Sequence, residues 1–243
     1  MINSIHNETI KKIMKLKQKK YRDDTGLYLI EGYHLVAEAR KNQVIQTIIT
    51  TLSDTFEEET LYVSETIMKK LAFTKTPQPI MAVCEKKETH SIMENGKRYL
   101  LLDRIQDPGN VGTIIRTALA FHYDQVIMSN DCVDLYNDKV IRSTQGAIFD
   151  MNICIMDLKK AIPSLQENGV QVYGTCLQNA SPIDTYDWQT KMAFVMGNEG
   201  QGMSHDILEL CNHYIYIPIQ SIESLNVGVA AAITMYHFQE REK

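Results

Sequence analysis

The stretch YLLLDRIQDPGNVGTIIRTALAFHYDQVIMS, residues 99–129, decides the fold. It contains a short apolar strand, a polar loop, a helix and a second apolar strand, and this alternation continues to the end of the chain. The pattern predicts an α/β fold with a parallel sheet that helices cover on both faces. Such a sheet binds its ligand at the carboxyl ends of the strands. The loops to examine therefore follow Asp103, Ser129, Cys176, Met196 and Ile217.

The chain before residue 99 reads as a smaller α/β unit. LYLIEGYHLVAEARK, residues 27–41, predicts a strand, a tight turn at Glu31-Gly32 and a helix, and two further apolar strands flank a second helix. The polar stretch EKKETHSIMENGKR, residues 85–98, has no clear periodicity and is typical of a linker. We therefore predict a small domain at residues 1–95 and a parallel-sheet domain at residues 96–243.

Composition argues against several classes of protein. The 243 residues, 44% of them hydrophobic, can bury a sizeable core. No run approaches the ~18 apolar residues of a membrane span, and the N-terminus lacks the apolar core of a signal peptide. We therefore expect a cytoplasmic protein without a membrane partner. The five cysteines are scattered without Cys-x-x-Cys pairs, which argues against a metal site and a disulfide framework.

A basic segment lies near the N-terminus although the net charge is −5. Residues 11–22 contain seven cations and no acid, and their apolar positions follow helical spacing, which predicts one helix. A solvated helix face is one interpretation. The other is contact with a phosphate backbone, whose affinity would fall steeply with salt. The candidate RNA-binding residues are Lys12, Lys15, Lys19, Lys20 and Arg22.

The loop after the first strand of the sheet carries the pattern N-x-G-x-x-x-R, formed by Asn110, Gly112 and Arg116. Asparagine is a good helix cap, and glycine lets the backbone approach a ligand closely. Arg116 lies in an otherwise apolar helix and presents a planar fork of donors that suits phosphate or a developing oxyanion. A surface arginine whose charge reaches solvent is the alternative.

Two further loops are unusual. GNEGQG, residues 197–202, lacks the lysine of a phosphate-binding loop and the spacing of a dinucleotide site. Its Glu199 would repel pyrophosphate and suits an amine, a hydroxyl or a cation, unless it is only a solvated turn residue. In the third loop, Ser224 and Asn226 stand at the start of the apolar closing helix. They are suited to capping that helix, and they could also face a site.

Taken together and in this order, the three motifs resemble the SpoU/TrmH family of the SPOUT superfamily, RNA ribose 2′-O-methyltransferases that use S-adenosylmethionine. The resemblance covers roughly residues 97–243 and rests on the asparagine-to-arginine spacing, the Gly-x-Glu-Gly core and SLNV. Residues 19–39 are also similar to the small substrate-binding domain that many members carry. The resemblance implies a deep trefoil knot in the parallel-sheet domain and a small N-terminal α/β domain that binds RNA.

The resemblance also implies roles for single residues. S-adenosylmethionine would be bound by Thr175, Gly197, Ile217, Ile219 and Leu225. Arg116 would be the catalytic arginine, and the residues around the reacting ribose would be Asn110, Glu199, Ser224 and Asn226. We expect Arg116 to hold a phosphate and to stabilise the emerging alkoxide. Glu199 or a phosphate oxygen would then accept the proton.

The resemblance implies a homodimer, for which the closing helix and the helix that carries Arg116 are the candidate interfaces; the alternative is that the apolar stripe of the closing helix belongs to the core. Members of the family modify ribosomal or transfer RNA, and the extra N-terminal domain favours ribosomal RNA. Ile219 replaces the usual methionine, Gly228 replaces a common serine, and the turn QSIE is one residue short. A transfer-RNA 2′-O-methyltransferase, a non-catalytic knotted RNA-binding protein in ribosome assembly and a small-molecule enzyme are the alternatives.

Overall fold

The computed structural model describes residues 1–87, 89–220 and 224–239. The chain forms two compact units. The first consists of Met1–Lys87 with Asp134–Phe149, and the second of the described residues of Glu88–Val133 and Asp150–Lys243. Residues 134–149 thus belong to the unit that contains the N-terminus. The boundary near residue 95, drawn from composition, stays a prediction.

Helices and strands alternate along the chain. In chain order the elements are α1 (Glu8–Lys15), α2 (Lys19–Thr25), β1 (Leu27–Glu31), α3 (Tyr33–Lys41), β2 (Ile45–Thr50), β3 (Glu59–Tyr62), α4 (Glu65–Leu71), β4 (Ile80–Glu85), β5 (Arg98–Leu102), α5 (Pro108–Ala120), β6 (Gln125–Met128), α6 (Asp138–Thr144), α7 (Ala147–Asp150), β7 (Ile153–Ile155), α8 (Leu158–Glu167), β8 (Gln171–Thr175), β9 (Ser181–Pro182), a 3₁₀ turn (Ile183–Thr185), β10 (Met192–Met196), α9 (His205–Leu208), β11 (His213–Tyr216) and α10 (Val227–His237). Within the described ranges, no helix is both long enough and apolar enough to cross a bilayer.

The first unit contains a four-stranded mixed sheet in the order β1-β4-β2-β3. β4 pairs antiparallel with β1 and β2, and β3 runs parallel to β2. Ile10 and Ile13 of α1 share one core cluster with Met68 and Leu71 of α4 and with residues of the strands. The apolar stripe of α1 is thus buried, which leaves its lysines in solvent.

The second unit contains a seven-stranded sheet in the order β7-β6-β5-β10-β8-β11-β9, and all strand pairs described for it are parallel. Successive side chains of a strand face opposite sides of a sheet. Ala193 and Val195 of β10 join a core cluster with α8 and α9. The Phe194 ring between them stacks on Phe238, directly after α10, with centroids 4.8 Å apart. Helices therefore cover both faces, which confirms the predicted α/β fold class.

The three loops with unusual residues follow β5, β10 and β11, which together with β8 form four neighbouring strands of this sheet. Because the strands are parallel, these loops meet at one edge of the sheet. α5 begins at Asp107, whose side chain accepts a hydrogen bond from the amide of Asn110 at 2.9 Å, and Pro108 fills the first turn. α10 begins at Asn226 and packs against α5.

Some local predictions differ from the structure. The basic segment forms two helices, α1 and α2, because the backbone at Gln18 is extended. Two short helices, α6 and α7, stand between β6 and β7 in the chain, since Gln145 takes a left-handed φ of 51° after α6. β3 and β9 are too short to produce a periodic signal. The turn at residues 221–223 lies outside the described residues, and the trefoil knot stays a prediction.

Candidate active site

A cavity of about 520 Å³ opens where β8, β10 and β11 end. Its walls include every residue for which the resemblance implies cofactor binding, namely Thr175, Gly197, Ile217, Ile219 and Leu225. Glu199 and Ser224 also line it, and Glu199 is the charged side chain among the described lining residues. Apolar side chains, amides, hydroxyls and backbone groups make up the remainder. Such a lining suits a ligand with both apolar and hydrogen-bonding parts.

Gly197 stands where β10 turns into the loop of residues 197–202, which we call the glycine-rich loop. A Cβ atom at Gly197 would lie 2.3 Å from the Met203 nitrogen and 2.5 Å from the Gly202 carbonyl carbon. Both are backbone atoms, so neither can move aside cheaply. Two backbone hydrogen bonds between Asn198 and Gly202, of 3.0 and 2.9 Å, fold the loop back at this point. The loop therefore requires glycine at residue 197.

The Glu199 carboxylate ties the glycine-rich loop to the start of α5. Its Oε2 accepts a hydrogen bond from the Gln106 amide at 3.2 Å. Its Oε1 accepts from the Asp107 amide at 3.1 Å and from Asn110 Nδ2 at 3.0 Å. A negative charge is favoured at this position because the N-terminus of a helix is electropositive. Glu199 is therefore a fixed wall of the cavity and not a freely solvated turn residue.

The same contacts determine the acidity of Glu199. Burial alone would raise the pKa of this carboxyl, but hydrogen bonds from Asn110 and from nearby backbone amides outweigh it, so the pKa lies below its usual value. A carboxylate with a lowered pKa and three donors already directed at it is a weak proton acceptor near neutral pH. The geometry favours a positioning role for Glu199 over that of general base.

Asn110, in the first turn of α5, connects Glu199 to the start of α10. Only 9% of Asn110 is exposed. Its Oδ1 accepts a hydrogen bond from Asn226 Nδ2 at 2.9 Å. Asn226 Oδ1 in turn accepts from the amides of Gly228 and Val229 at 2.9 and 3.2 Å, which caps α10. Asn226 therefore caps its helix and orients Asn110 at the same time.

Not every predicted catalytic residue reaches the cavity. Ser224 lines it, whereas Asn110, which bonds to Glu199, and Asn226, which bonds to Asn110, lie outside the set of described lining residues. Arg116 is exposed and also outside that set. It follows Asn110 by six residues, about 9 Å along the helix axis. The exposed face of α5 that carries it includes Thr113.

Arg104 belongs to this site, although the sequence patterns do not single it out. It follows β5 with a left-handed φ of 58°. Its guanidinium donates to Gln201 Oε1 at 3.1 Å and to the Gly202 carbonyl at 3.2 Å, and its own carbonyl accepts from Asn198 Nδ2 at 2.8 Å. Arg104 thus links the loop after β5 to the glycine-rich loop. These partners are distant in sequence, so no local pattern could have revealed them.

The candidate RNA-binding cations divide into two groups. Lys12, Lys15, Lys19 and Lys20 are exposed in the first unit. Arg22 requires a correction, because only 6% of it is exposed. Its guanidinium donates to the Leu16 carbonyl at 2.8 Å and forms an ion pair with Asp134. A buried guanidinium with these partners stabilises the unit and is not presented to a phosphate.

The fold and the cavity define the class: an α/β protein that binds its ligand where parallel strands end. The SpoU rRNA Methylase family matches residues 97–236, and the chain belongs to this family. A second family, described as the MRM3-like substrate binding domain, matches residues 7–82. The two matches account for most of the chain and confirm the family that the three motifs indicate.

Individual relatives resemble nearly the whole chain. The 23S rRNA (guanosine(2553)-2'-O)-methyltransferase RlmP of Bacillus subtilis is 38% identical over 246 residues, which cover 98% of both proteins. An uncharacterized tRNA/rRNA methyltransferase of Synechocystis sp. is 31% identical over 99% of this chain and 94% of its own. The AdoMet-bound rRNA methyltransferase from Sinorhizobium meliloti superposes with a TM-score of 0.89 at 28% identity, covering 97% of this chain and 95% of that one. These similarities confirm the predicted enzyme class, RNA methyltransferase.

Proposed function

We propose that this protein transfers the methyl group of S-adenosylmethionine to the 2′-oxygen of a ribose in 23S ribosomal RNA. The observation that carries the proposal is the cavity of the second unit, which has all five candidate cofactor residues in its walls and Glu199 bonded to Asn110 beside it. The choice of RNA rests on the 38% identity, over 98% of the chain, with an enzyme named for guanosine 2553 of 23S rRNA. The proposed compartment is the cytoplasm, because the substrate is ribosomal RNA.

The cavity fits S-adenosylmethionine in size and in chemistry. Its volume, about 520 Å³, lies within the range of roughly 300–1,000 Å³ that encloses ligands of this size. Ile217, Ile219 and Leu225 offer apolar surface to the adenine and the methionine chain, while the close backbone at Gly197 offers polar groups. The bound cofactor supplies an electrophilic sulfonium methyl group. What remains for the chain is to bring the ribose oxygen to it.

Positioning is the main task of the residues around the cavity, since alignment of two reactants can supply a large part of a rate enhancement. Ser224 has an exposed side chain on the cavity wall and is our candidate for contact with the ribose. Glu199 and Asn226 fix the two loops between which the ribose enters. The proton of the 2′-hydroxyl passes to solvent, directly or by way of an RNA phosphate oxygen, while Glu199 is held by three hydrogen bonds and keeps a positioning role.

We propose that the active form is a homodimer. α10 exposes an apolar stripe to solvent, formed by Val229, Ile233 and Tyr236, which are 48%, 36% and 57% exposed. These residues recur with helical spacing and lie on one side of the helix. A single exposed apolar residue needs no explanation, but a stripe along one helix favours a protein contact.

The proposed dimer accounts for the position of Arg116. α10 lies against α5 near both of its ends. At its start, a Cβ on Gly228 would lie 3.5 Å from Thr113 Cγ2. Near its end, the ring of Tyr236 lies 6.2 Å from the ring of Phe121, the residue after α5. Arg116 lies between Thr113 and Phe121 in the chain, and it is exposed like Thr113. In a dimer formed through the apolar stripe, Arg116 stands at the subunit boundary, where its fork can hold an RNA phosphate.

The first unit supplies the proposed contact with the remainder of the RNA. Its four exposed lysines in and after α1, Lys12, Lys15, Lys19 and Lys20, form a basic surface. The match of residues 7–82 to a substrate binding domain supports this assignment. Such contacts hold the phosphate backbone and do not by themselves specify sequence.

The experiment is to map ribose methylation across total RNA from cells with and without the gene. Loss of methylation at one 23S position in the deletion strain, restored by the wild-type gene and not by an Arg116→Ala variant, is the expected result. Unchanged ribosomal RNA methylation would contradict the proposal. Loss confined to transfer RNA would support ribose methylation as the reaction and would contradict 23S ribosomal RNA as the substrate.

A further inference from the structure

The turn between β1 and α3 presents an exposed aromatic ring on a fixed backbone. Tyr33 is the first residue of α3 and is 52% exposed. Gly32 before it has a φ of 102°, and a Cβ there would lie 3.0 Å from Gln78 Oε1. That same oxygen accepts a hydrogen bond from the Tyr33 amide at 2.8 Å. The backbone beneath the ring is therefore anchored to the loop that carries Gln78.

That loop, which joins α4 to β4, is itself fastened by Glu31. The Glu31 side chain accepts hydrogen bonds from the amides of Phe73 and Thr74 at 2.8 and 3.2 Å, and also from the Thr74 hydroxyl. Only 9% of Glu31 is exposed, so these donors replace the water that the carboxylate loses. The turn at Gly32 and the loop after α4 thus form one pre-organised surface.

Lysines lie in the loop after α4 and next to its start. Lys75 is exposed within the loop, and Lys69 and Lys70 occupy the last turn of α4. Lys17, just after α1, donates to the carbonyls of Lys70 and Ala72 at 2.9 and 2.8 Å. These bonds bring the lysine-rich α1 close to the same loop. Tyr33 and the segment after α1 are thus both hydrogen-bonded to the connection between α4 and β4, which carries Lys75.

We propose that Tyr33 is a stacking platform for an unpaired RNA base and that Lys75 contacts the adjoining phosphate. Unpaired bases are recognised by stacking on aromatic side chains, while cations follow the backbone. A tyrosine that served the core would be buried, whereas Tyr33 is 52% exposed on an anchored turn. The inference rests on the proposed function, and it specifies that the substrate contains an unpaired loop or bulge where the first unit binds.

The test uses the full-length protein and an RNA strand of about 12 nucleotides that carries 2-aminopurine, with the fully paired duplex of the same strand as comparison. Stacking on an aromatic ring quenches the fluorescence of 2-aminopurine. The wild-type protein is expected to quench the single strand and not the duplex. Tyr33→Phe keeps the ring and the quenching. Tyr33→Ala and Tyr33→Leu lose the quenching, and their affinity for the single strand falls about tenfold.

The salt dependence of binding distinguishes the contribution of the Tyr33 ring from that of the Lys75 charge. Lys75→Ala is expected to weaken binding and to reduce the slope of log K against log salt concentration by about 0.7, the value for one phosphate contact on a single strand. Tyr33→Ala weakens binding without changing that slope, because stacking releases no counterions. Lys41→Ala is the matched control, since Lys41 ends α3 and pairs with Glu38, and it should change neither quantity.

Several results would overturn the platform. They are equal quenching by Tyr33→Ala and wild type, retained quenching by Tyr33→Leu, and no quenching by the wild type. Thermal unfolding checks that each variant folds. Replacement of an exposed side chain is expected to change the stability little. Methyl transfer to 23S ribosomal RNA is measured in parallel with the wild-type protein. Normal transfer without quenching overturns the platform alone, whereas absent transfer counts against the proposed function.

Discussion

Asn226 donates a hydrogen bond from its Nδ2 to Oδ1 of Asn110 at 2.9 Å, although 116 residues separate them in the chain. This bond fixes the orientation of the Asn110 amide, so that its Nδ2 faces Glu199. Each of the three residues comes from a different sequence motif. The motifs occur together because their side chains form one hydrogen-bonded row beside the cavity.

Removal of the central amide should loosen both loops. Asn110→Ala leaves Asn226 Nδ2 without its acceptor and takes one donor from Glu199. We expect a loss of about 1–3 kcal/mol in the free energy of unfolding and at least a tenfold loss in methyl transfer. Chemical unfolding and a labelled-methyl assay measure the two effects. Thr117→Ala is the control on the same helix, because its hydroxyl donates back to the Thr113 carbonyl of the same helix; equal behaviour of the two variants would contradict the account.

Replacement of Gly197 should damage the cavity itself. Because a Cβ at this position would meet backbone atoms at 2.3 and 2.5 Å, Gly197→Ala must displace the glycine-rich loop. A lower melting temperature and a loss of S-adenosylmethionine affinity by calorimetry are expected. In Gly200→Ala, three residues further on, the nearest atom lies 3.9 Å from the new Cβ, and the melting temperature should stay unchanged. A wild-type melting temperature in Gly197→Ala would show that the loop does not require glycine there.

The lowered pKa of Glu199 gives a pH dependence of known sign. Its stabilising effect is complete above the pKa of the unfolded chain, about 4.3, and is lost as the pH falls through the lower pKa of the folded state. Glu199→Gln should therefore be less stable than the wild type at pH 7, with a difference that narrows below about pH 4.3. Urea unfolding at several pH values measures this difference. A gap that widens on acidification would show that the folded state raises this pKa.

The apolar stripe of α10 predicts an oligomeric state. Ile233→Glu places a charge in the proposed interface, yet Ile233 is already 36% exposed, so the fold of one chain should survive. Sedimentation is expected to show a dimer for the wild type and a monomer for Ile233→Glu. Met93→Glu, at a 41% exposed residue outside α10, is the control and should remain dimeric. A wild-type monomer that still methylates RNA would remove the dimer from the account.

Arg116 should act on transfer and not on cofactor binding, because it lies outside the cavity lining. Arg116→Ala is expected to lower methyl transfer by at least a hundredfold while the affinity for S-adenosylmethionine changes little. Arg116→Lys keeps the charge without the planar fork and should recover only part of the rate. A near-normal rate in Arg116→Ala would exclude the arginine from the reaction.

The sequence predicts the parallel sheet and the edge at which the site lies, because buried strands and their helices have clear periodicities. The family resemblance implies the five cofactor candidates, and they gather with Glu199 and Ser224 in one cavity because they lie at or after the ends of neighbouring strands. The motif residues Asn110 and Asn226 could be named from their positions at helix starts. Their mutual hydrogen bond could not, because it joins distant segments.

Long-range pairing also explains what sequence reasoning missed. Arg22 looks like one more cation in a basic run, but Asp134, 112 residues later, pairs with it and buries it. Arg104 was missed for the same reason, because the groups to which it donates hydrogen bonds, on Gln201 and Gly202, are distant in the chain. Residues 134–149 join the first unit although they lie between strands of the second unit's sheet. None of these contacts leaves a local periodicity.

The central claim is that the methyl group goes to a ribose oxygen of 23S ribosomal RNA, and one measurement tests it directly. The wild-type protein is incubated with labelled S-adenosylmethionine and 23S ribosomal RNA, and the RNA is hydrolysed with alkali, which cannot cleave next to a 2′-O-methyl group. The account predicts that the label appears in an alkali-resistant dinucleotide. Label recovered in a methylated mononucleotide would show that a base is the acceptor and would contradict the account.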